Sequence, residues 1–213
     1  MNLQILTDPR YELIHSARYF YQQGWMLGTA GNLSARLPDG SFWITASGRL
    51  KGELVSSDFI RMYVDGKIID CPDGMKPSAE TSIHQAIYEM YPESQACFHV
   101  HSVEANLVSN FVEADELPLP PLEMLKGLGL WEENPKCTLP LFDNHFQVPK
   151  IATEIKERFR DHKKPQIPAL LIRNHGVTIW APSPIIARNY IEVIEYIFRY
   201  MAIARQTGIG YQS

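Results

Sequence analysis

The chain has 213 residues, 45% of them hydrophobic and 21% charged, with a formal net charge of -4. That length suffices for one domain, residues 1–213, with a sizeable core, and the slight acidity supplies no basic field for nucleic acid. No apolar run reaches a membrane span, the N-terminus shows no basic-then-apolar leader, and three unpatterned cysteines (Cys71, Cys97, Cys137) favour a reducing, cytoplasmic setting over a disulfide scaffold.

Asp8-Pro9 reads as a helix start, with Leu13, Ala17, Phe20 and Tyr21 at helical spacing and Gly24 as the stop. A glycine-punctuated loop, Gly28 to Ser34, leads into a strand. The turn Pro38-Asp39-Gly40 joins it to Phe42–Thr45 as a hairpin, and Asp65-Gly66 joins a second hairpin between Ile60–Val64 and Lys67–Ile69. From Ser78, which reads as a helix cap, Ile83, Ala86, Ile87 and Met90 share one face up to Pro92. The strand Gln95–Val100 and a short helix from Ser102 to about Phe111 follow.

The run Leu117-Pro118-Leu119-Pro120-Pro121 is incompatible with regular helix and leads into Leu122-Glu123-Met124-Leu125-Lys126-Gly127. Cys137–Phe142 reads as a strand, Lys150–Arg160 as a helix, and Ala169–Arg173 and Val177–Trp180 as strands. A last helix opens at Ser183-Pro184 and runs to about Gln206. Hairpin turns outnumber long crossovers, which predicts α/β layers around a mostly antiparallel sheet.

Chemistry concentrates at His99-Val100-His101, at the end of an apolar strand. Alternate strand residues leave on one face, roughly 6.6 Å apart along the backbone, so both imidazoles can converge on one ion. His175, which ends the apolar run Leu170 to Asn174 and precedes Gly176, is the candidate third ligand. Imidazole donors suit zinc or another transition ion better than calcium or magnesium. The loops Gly28–Asn32 and Thr45-Ala46-Ser47-Gly48, with Ser78 at its helix start, offer backbone donors and hydroxyls to a phosphate. Glu80 and His84 stand one turn apart, which predicts a structural pair between them. Glu123 is a candidate acid/base group, since a carboxylate beside a metal-polarised carbonyl can move protons.

The ordered motifs Gly31-Asn32-Leu33-Ser34, Thr45-Ala46-Ser47-Gly48, Lys76-Pro77-Ser78-Ala79-Glu80, His99-Val100-His101 and Asn174-His175-Gly176 resemble the class II aldolase/adducin family over nearly the whole chain. The resemblance implies a three-layer α/β/α sandwich with a mainly antiparallel central sheet, assembled as a homotetramer. It implies one zinc per subunit, held by His99, His101 and His175, and a sugar-phosphate substrate. Within the family, Glu123 to Gly127 is similar to the branch that dehydrates 5-methylthioribulose 1-phosphate in methionine salvage, which makes Glu123 the acid/base residue. Asn32, Ser47, Gly48, Ser78, Glu80 and Lys126 are then the substrate- and phosphate-binding candidates. Some relatives carry cysteine where this chain has Glu80, whereas sugar-phosphate aldolases carry glutamate. A metal-dependent aldolase or 4-epimerase is therefore the alternative activity, and an adducin-like scaffold the alternative class. Trp43, Phe98 and Trp131 are candidates for an apolar wall against the methylthio tail.

Overall fold

A computed structural model describes residues 8–160 and 164–210. The first seven residues, where the leader pattern was sought, lie outside the described residues. The chain order is α1 (Arg10–Gln22), β1 (Asn32–Arg36), β2 (Phe42–Thr45), β3 (Phe59–Met62), β4 (Ile68–Asp70), α2 (Thr81–Met90), β5 (Ala96–Val100), α3 (Val103–Val108), β6 (Glu116–Leu119), β7 (Cys137–Phe142), α4 (Val148–Arg160), β8 (Ala169–Ile172), β9 (Gly176–Ala181) and α5 (Pro184–Thr207). Short 3-10 helices occur at Ser56–Asp58 and Glu123–Leu128.

Among the described residues the strands form one nine-stranded sheet in the order β4-β3-β2-β1-β5-β9-β8-β7-β6. Every neighbouring pair is antiparallel except β7 and β8, which are joined by the α4 crossover. The sheet is therefore mixed, with the antiparallel majority that the hairpin turns predicted. The β6 strand sits at an edge, where Pro118 removes a donor that no further strand needs. Its Leu117 and Leu119 point inward.

Strand alternation divides the interior into two cores. On one face, Ala96, Phe98 and Val100 of β5 and Val177 and Ile179 of β9 pack beneath α1, α3 and α5 through Phe20, Ala105, Ile194 and Phe198. On the other, Cys97 and Trp180 meet Ile83 and Ile87 of α2 and Ile155 and Phe159 of α4. Each fully buried side chain of this size contributes about 1.5–3 kcal/mol. Trp43 and Phe98 belong to these cores, 7% and 0% exposed, so neither forms the expected apolar wall; Trp131 is 75% exposed.

The helix starts follow capping chemistry. Asp8 Oδ1 accepts the Arg10 amide at 3.0 Å, and Ser183 Oγ accepts the Ile186 amide at 3.2 Å with Pro184 at the first helical position. The α2 helix departs from expectation. It begins at Thr81, not at Ser78, because the Ser78 hydroxyl is spent on Glu80 while its carbonyl accepts the Thr81 amide at 3.2 Å.

Candidate metal centre and active site

The face of β5 that carries Cys97 also carries His99 and His101, by the two-residue period of a strand. Across the sheet His99 lies opposite Asn32 of β1 and Thr178 of β9. His175 arrives from the turn before β9, where Asn174 takes a left-handed φ of 48°. The three rings pack edge to face, with centroids 4.7, 4.9 and 4.6 Å apart. Their ligand-capable nitrogens all lie within 4.8 Å of one another.

The close approach depends on Gly176. A Cβ there would stand 2.2 Å from the Val100 carbonyl oxygen and 3.2 Å from Cδ2 of His101. Gly31 is similarly confined, since at φ 77° its Cβ would lie 2.8 Å from the His99 carbonyl oxygen.

The geometry fits a metal. His99 Nε2 and His175 Nε2 are 3.4 Å apart, the edge of a tetrahedron whose Zn–N bonds are about 2.0–2.1 Å. His99 Nδ1 lies 2.8 Å from Thr178 Oγ1, and the tautomer that places its hydrogen there leaves Nε2 with its lone pair facing the cluster. His101 Nε2 is buried with no hydrogen-bond partner among the described residues, an expense that coordination would remove. Burial holds all three imidazoles neutral, the form that binds metal. It pulls His101 down to about 4, and it depresses His99 strongly, with His101 and His175 adding to the effect. In His175 burial lowers the pKa against the opposing pull of Glu80.

Glu80 stands at the edge of the cluster, its Oε1 3.8 Å from His175 Nε2. Its Oε2 accepts Asn32 Nδ2 and Ser78 Oγ, each at 2.8 Å. The expected Glu80–His84 pair does not form, because Glu80 precedes the helix instead of sharing its face. His84 turns inward to Asn32 Oδ1, 2.5 Å from its Nε2, and to Ser34 Oγ, 2.7 Å from its Nδ1. Asn32 is fully buried with its amide engaged on both sides, so its side chain orients Glu80 instead of facing a phosphate.

The three loops expected around a phosphate do come together. The Ser47 amide donates to Lys76 O at 2.9 Å, and Ala46 bridges Pro77. Gly48, at φ 73°, has open space where a side chain would stand. Lys51, absent from the motif reading, ties the loops: its amide donates to Gly28 O at 3.0 Å, and its Nζ donates to Thr29 O at 2.8 Å and Arg49 O at 3.0 Å. It is 2% exposed, and burial draws its ammonium down to about 8 against the pull of Glu80 and Asp58. A lysine three residues past the Ser47-Gly48 turn was its sequence signal, and a buried role for it was not legible.

Glu123 and Lys126 lie elsewhere on the surface. They pair at 2.7 Å, and Glu123 is 83% exposed. With Leu130 and Trp131 they line a cavity of about 240 Å³ to which none of the three histidines contributes. Among the described residues, no hydrogen bond or ion pair joins Glu123 to the cluster.

Residues 11–202 match the Class II Aldolase and Adducin N-terminal domain. The chain belongs to the class II aldolase/adducin family. Within it, the chain is 58% identical over 202 residues to a methylthioribulose-1-phosphate dehydratase of Microcystis aeruginosa, covering 94% of this chain and 98% of that protein. A methylthioribulose-1-phosphate dehydratase of Leptospira biflexa is 44% identical over 206 residues, 92% of this chain and 98% of the relative. Among solved structures, YgbL of Escherichia coli superposes with a TM-score of 0.80 at 26% identity, covering 96% of this chain and 93% of the other. The resemblance read from the ordered motifs is thus confirmed, as is the class II aldolase fold. With relatives of this kind the chain is a class II aldolase-family enzyme, not a scaffold. Among the described residues no helix is long and apolar enough to cross a membrane.

Proposed function

We propose that the protein dehydrates 5-methylthioribulose 1-phosphate to 5-methylthio-2,3-dioxopentyl phosphate, a step of methionine salvage. The observation that carries this reading is the 58% identity to a dehydratase of that name, along a chain that keeps three convergent histidines. The unit is a single catalytic domain over residues 1–213, cytoplasmic and homotetrameric. The exposed apolar residues Val103 and Leu107 of α3 and Ile203 of α5 support a surface covered by assembly.

His99, His101 and His175 would hold the ion, zinc by its donor set, and a bound zinc supplies a Lewis acid that makes the hydrogen beside a ketone removable. The remaining work falls to side chains. Glu80 Oε1, the oxygen left free by Asn32 and Ser78, takes the C3 proton of the substrate. Glu123 gives a proton to the C4 hydroxyl, which leaves as water, and the resulting enol tautomerises to the diketone. This carboxylate is exposed and paired with Lys126, so the reading requires the Glu123 segment to meet the bound substrate. Ser47, Gly48 and the backbone amide of Ser78, whose hydroxyl serves Glu80, receive the phosphate in the cradle that Lys51 braces, and Lys126 contributes charge from the Glu123 segment. Trp131, beside Glu123, receives the methylthio group.

A second reading, a metal-dependent sugar-phosphate aldolase or 4-epimerase, is favoured by Glu80, the glutamate that those enzymes share. Incubation with methylthioribulose phosphate against fuculose and ribulose phosphates separates the two: diketone should form only from the first. For the residues, His101→Ala should lose zinc and turnover together, whereas Glu123→Gln should keep zinc and lose turnover. Full turnover by Glu123→Gln refutes its role.

A further inference from the structure

Behind Glu80 a line of buried polar groups crosses the α2 face of the sheet. Tyr88 Oη lies 2.7 Å from Ser34 Oγ, which lies 2.7 Å from His84 Nδ1. His84 Nε2 then meets Asn32 Oδ1 at 2.5 Å, and Asn32 Nδ2 meets Glu80 Oε2 at 2.8 Å. Asn32, Ser34 and His84 are 0% exposed and Tyr88 1%.

Only one arrangement of hydrogens satisfies this line. An ionised carboxylate accepts and never donates, so Asn32 must turn its NH2 toward Glu80 and its oxygen toward His84. His84 must then carry its hydrogen on Nε2, which leaves Nδ1 to accept from Ser34. Ser34 gives its one hydrogen to His84 at 2.7 Å in preference to Cys97 O at 3.3 Å, so Tyr88 donates to Ser34. Every donor points toward Glu80. Burial, which pulls His84 down to about 3, keeps the ring in the neutral form that this polarity requires. Reversing the Asn32 amide would set two acceptors against each other at 2.8 Å inside a low-dielectric interior.

We propose that His84 is a positioning residue for the reaction: acting through Asn32, its Nε2–H tautomer decides which oxygen of Glu80 is free. With Oε2 saturated by Asn32 and Ser78, Oε1 alone is turned toward His175, 3.8 Å away. The inference rests on Glu80 being the group that takes the proton.

Two substitutions separate this role from simple packing. His84→Leu removes both contacts, whereas His84→Gln restores a donor toward Asn32 and an acceptor toward Ser34 without an imidazole. His84→Leu is expected to lower kcat by about 10–100-fold, the usual loss for an outer-shell partner, with KM within about threefold and zinc content unchanged. His84→Gln should recover most of that loss. In a Glu80→Gln background, His84→Leu should cost almost nothing more, because the carboxylate it orients is gone. Equal damage from Leu and Gln, or full additivity with Glu80→Gln, overturns the proposal. Should His84→Leu not fold, nitrogen-15 NMR of the metal-free wild type decides. The histidine signal lost in His84→Gln must show a slowly exchanging Nε2–H, and an Nδ1–H tautomer refutes the inference. Undiminished turnover by Glu80→Gln would instead refute the proton-taking role of Glu80 while leaving the tautomer result standing.

Discussion

Gly176→Ala is the smallest change that tests the architecture of the candidate metal centre. The new methyl carbon would lie 2.2 Å from Val100 O and 3.1 Å from Val100 C, at least about 1 Å short of an ordinary carbon–oxygen contact. Both obstructing atoms are backbone of β5, so no rotamer relieves the clash, and β9 must move away from β5 where Val100 faces Val177. Overpacking a core costs typically about 1–3 kcal/mol, and a clash with backbone belongs at the upper end of that range. The effect on metal should be larger, since a displacement of about 1 Å far exceeds the tolerance of about 0.2 Å for ligand distances. Urea unfolding of the metal-free protein should show a loss of about 2–3 kcal/mol, and zinc titration a loss of affinity of at least about 100-fold. Zinc binding within about threefold of wild type, with stability unchanged to about 0.5 kcal/mol, would refute the reasoning.

Three further outcomes follow from buried groups. Glu195 is 2% exposed, and burial raises its carboxyl to about 8, with the nearby Ser102 hydroxyl only tempering the shift. A carboxyl whose folded pKa lies above its unfolded value loses stability as pH rises from about 4.5 to about 8, at about 1.4 kcal/mol per pH unit at most. Glu195→Gln should therefore gain stability over wild type at pH 8 and little at pH 5, and equal gains at both in urea titrations would contradict this. Lys51→Met strips a charged donor from Thr29 O and Arg49 O, so it should cost about 2–4 kcal/mol and weaken competitive inhibition by inorganic phosphate, with zinc retained. Chelation should abolish turnover and lower the melting temperature, and re-added zinc at about 100 times its Kd should restore about 2.7 kcal/mol; an unchanged melting temperature would argue against metal at the histidines.

The legible parts of this molecule were those fixed by local period and turn chemistry. The two hairpins, the capped starts of α1 and α5 and the pairing of His99 with His101 on one face all follow from spacing within a few residues. Gly176 after His175 was visible in the sequence, but its tight approach to Val100 of β5 was not. What stayed hidden depends on partners remote in sequence. Ser78 looked like a helix cap because nothing local shows its hydroxyl committed to Glu80. His84 looked like a partner of Glu80 because helical spacing was assumed one turn too early. The polarity of Asn32 and Ser34, alternating with the apolar Leu33 and Ala35 of β1, was the available sign that something buried must answer them. Glu123 was singled out by its chemistry and its family motif, and its exposed position separates that reading from the histidine geometry.

The strand order carries a consequence for biogenesis. Among the described residues the last strand in chain order, β9, is a middle one of the sheet, seated between β5 and β8. A nascent chain ending before residue 176 holds two separate half-sheets with bare inner edges, which invite association with other chains. Closure of those edges and delivery of the third imidazole occur in the same event, so the histidine cluster able to hold an ion assembles only once β9 is in place.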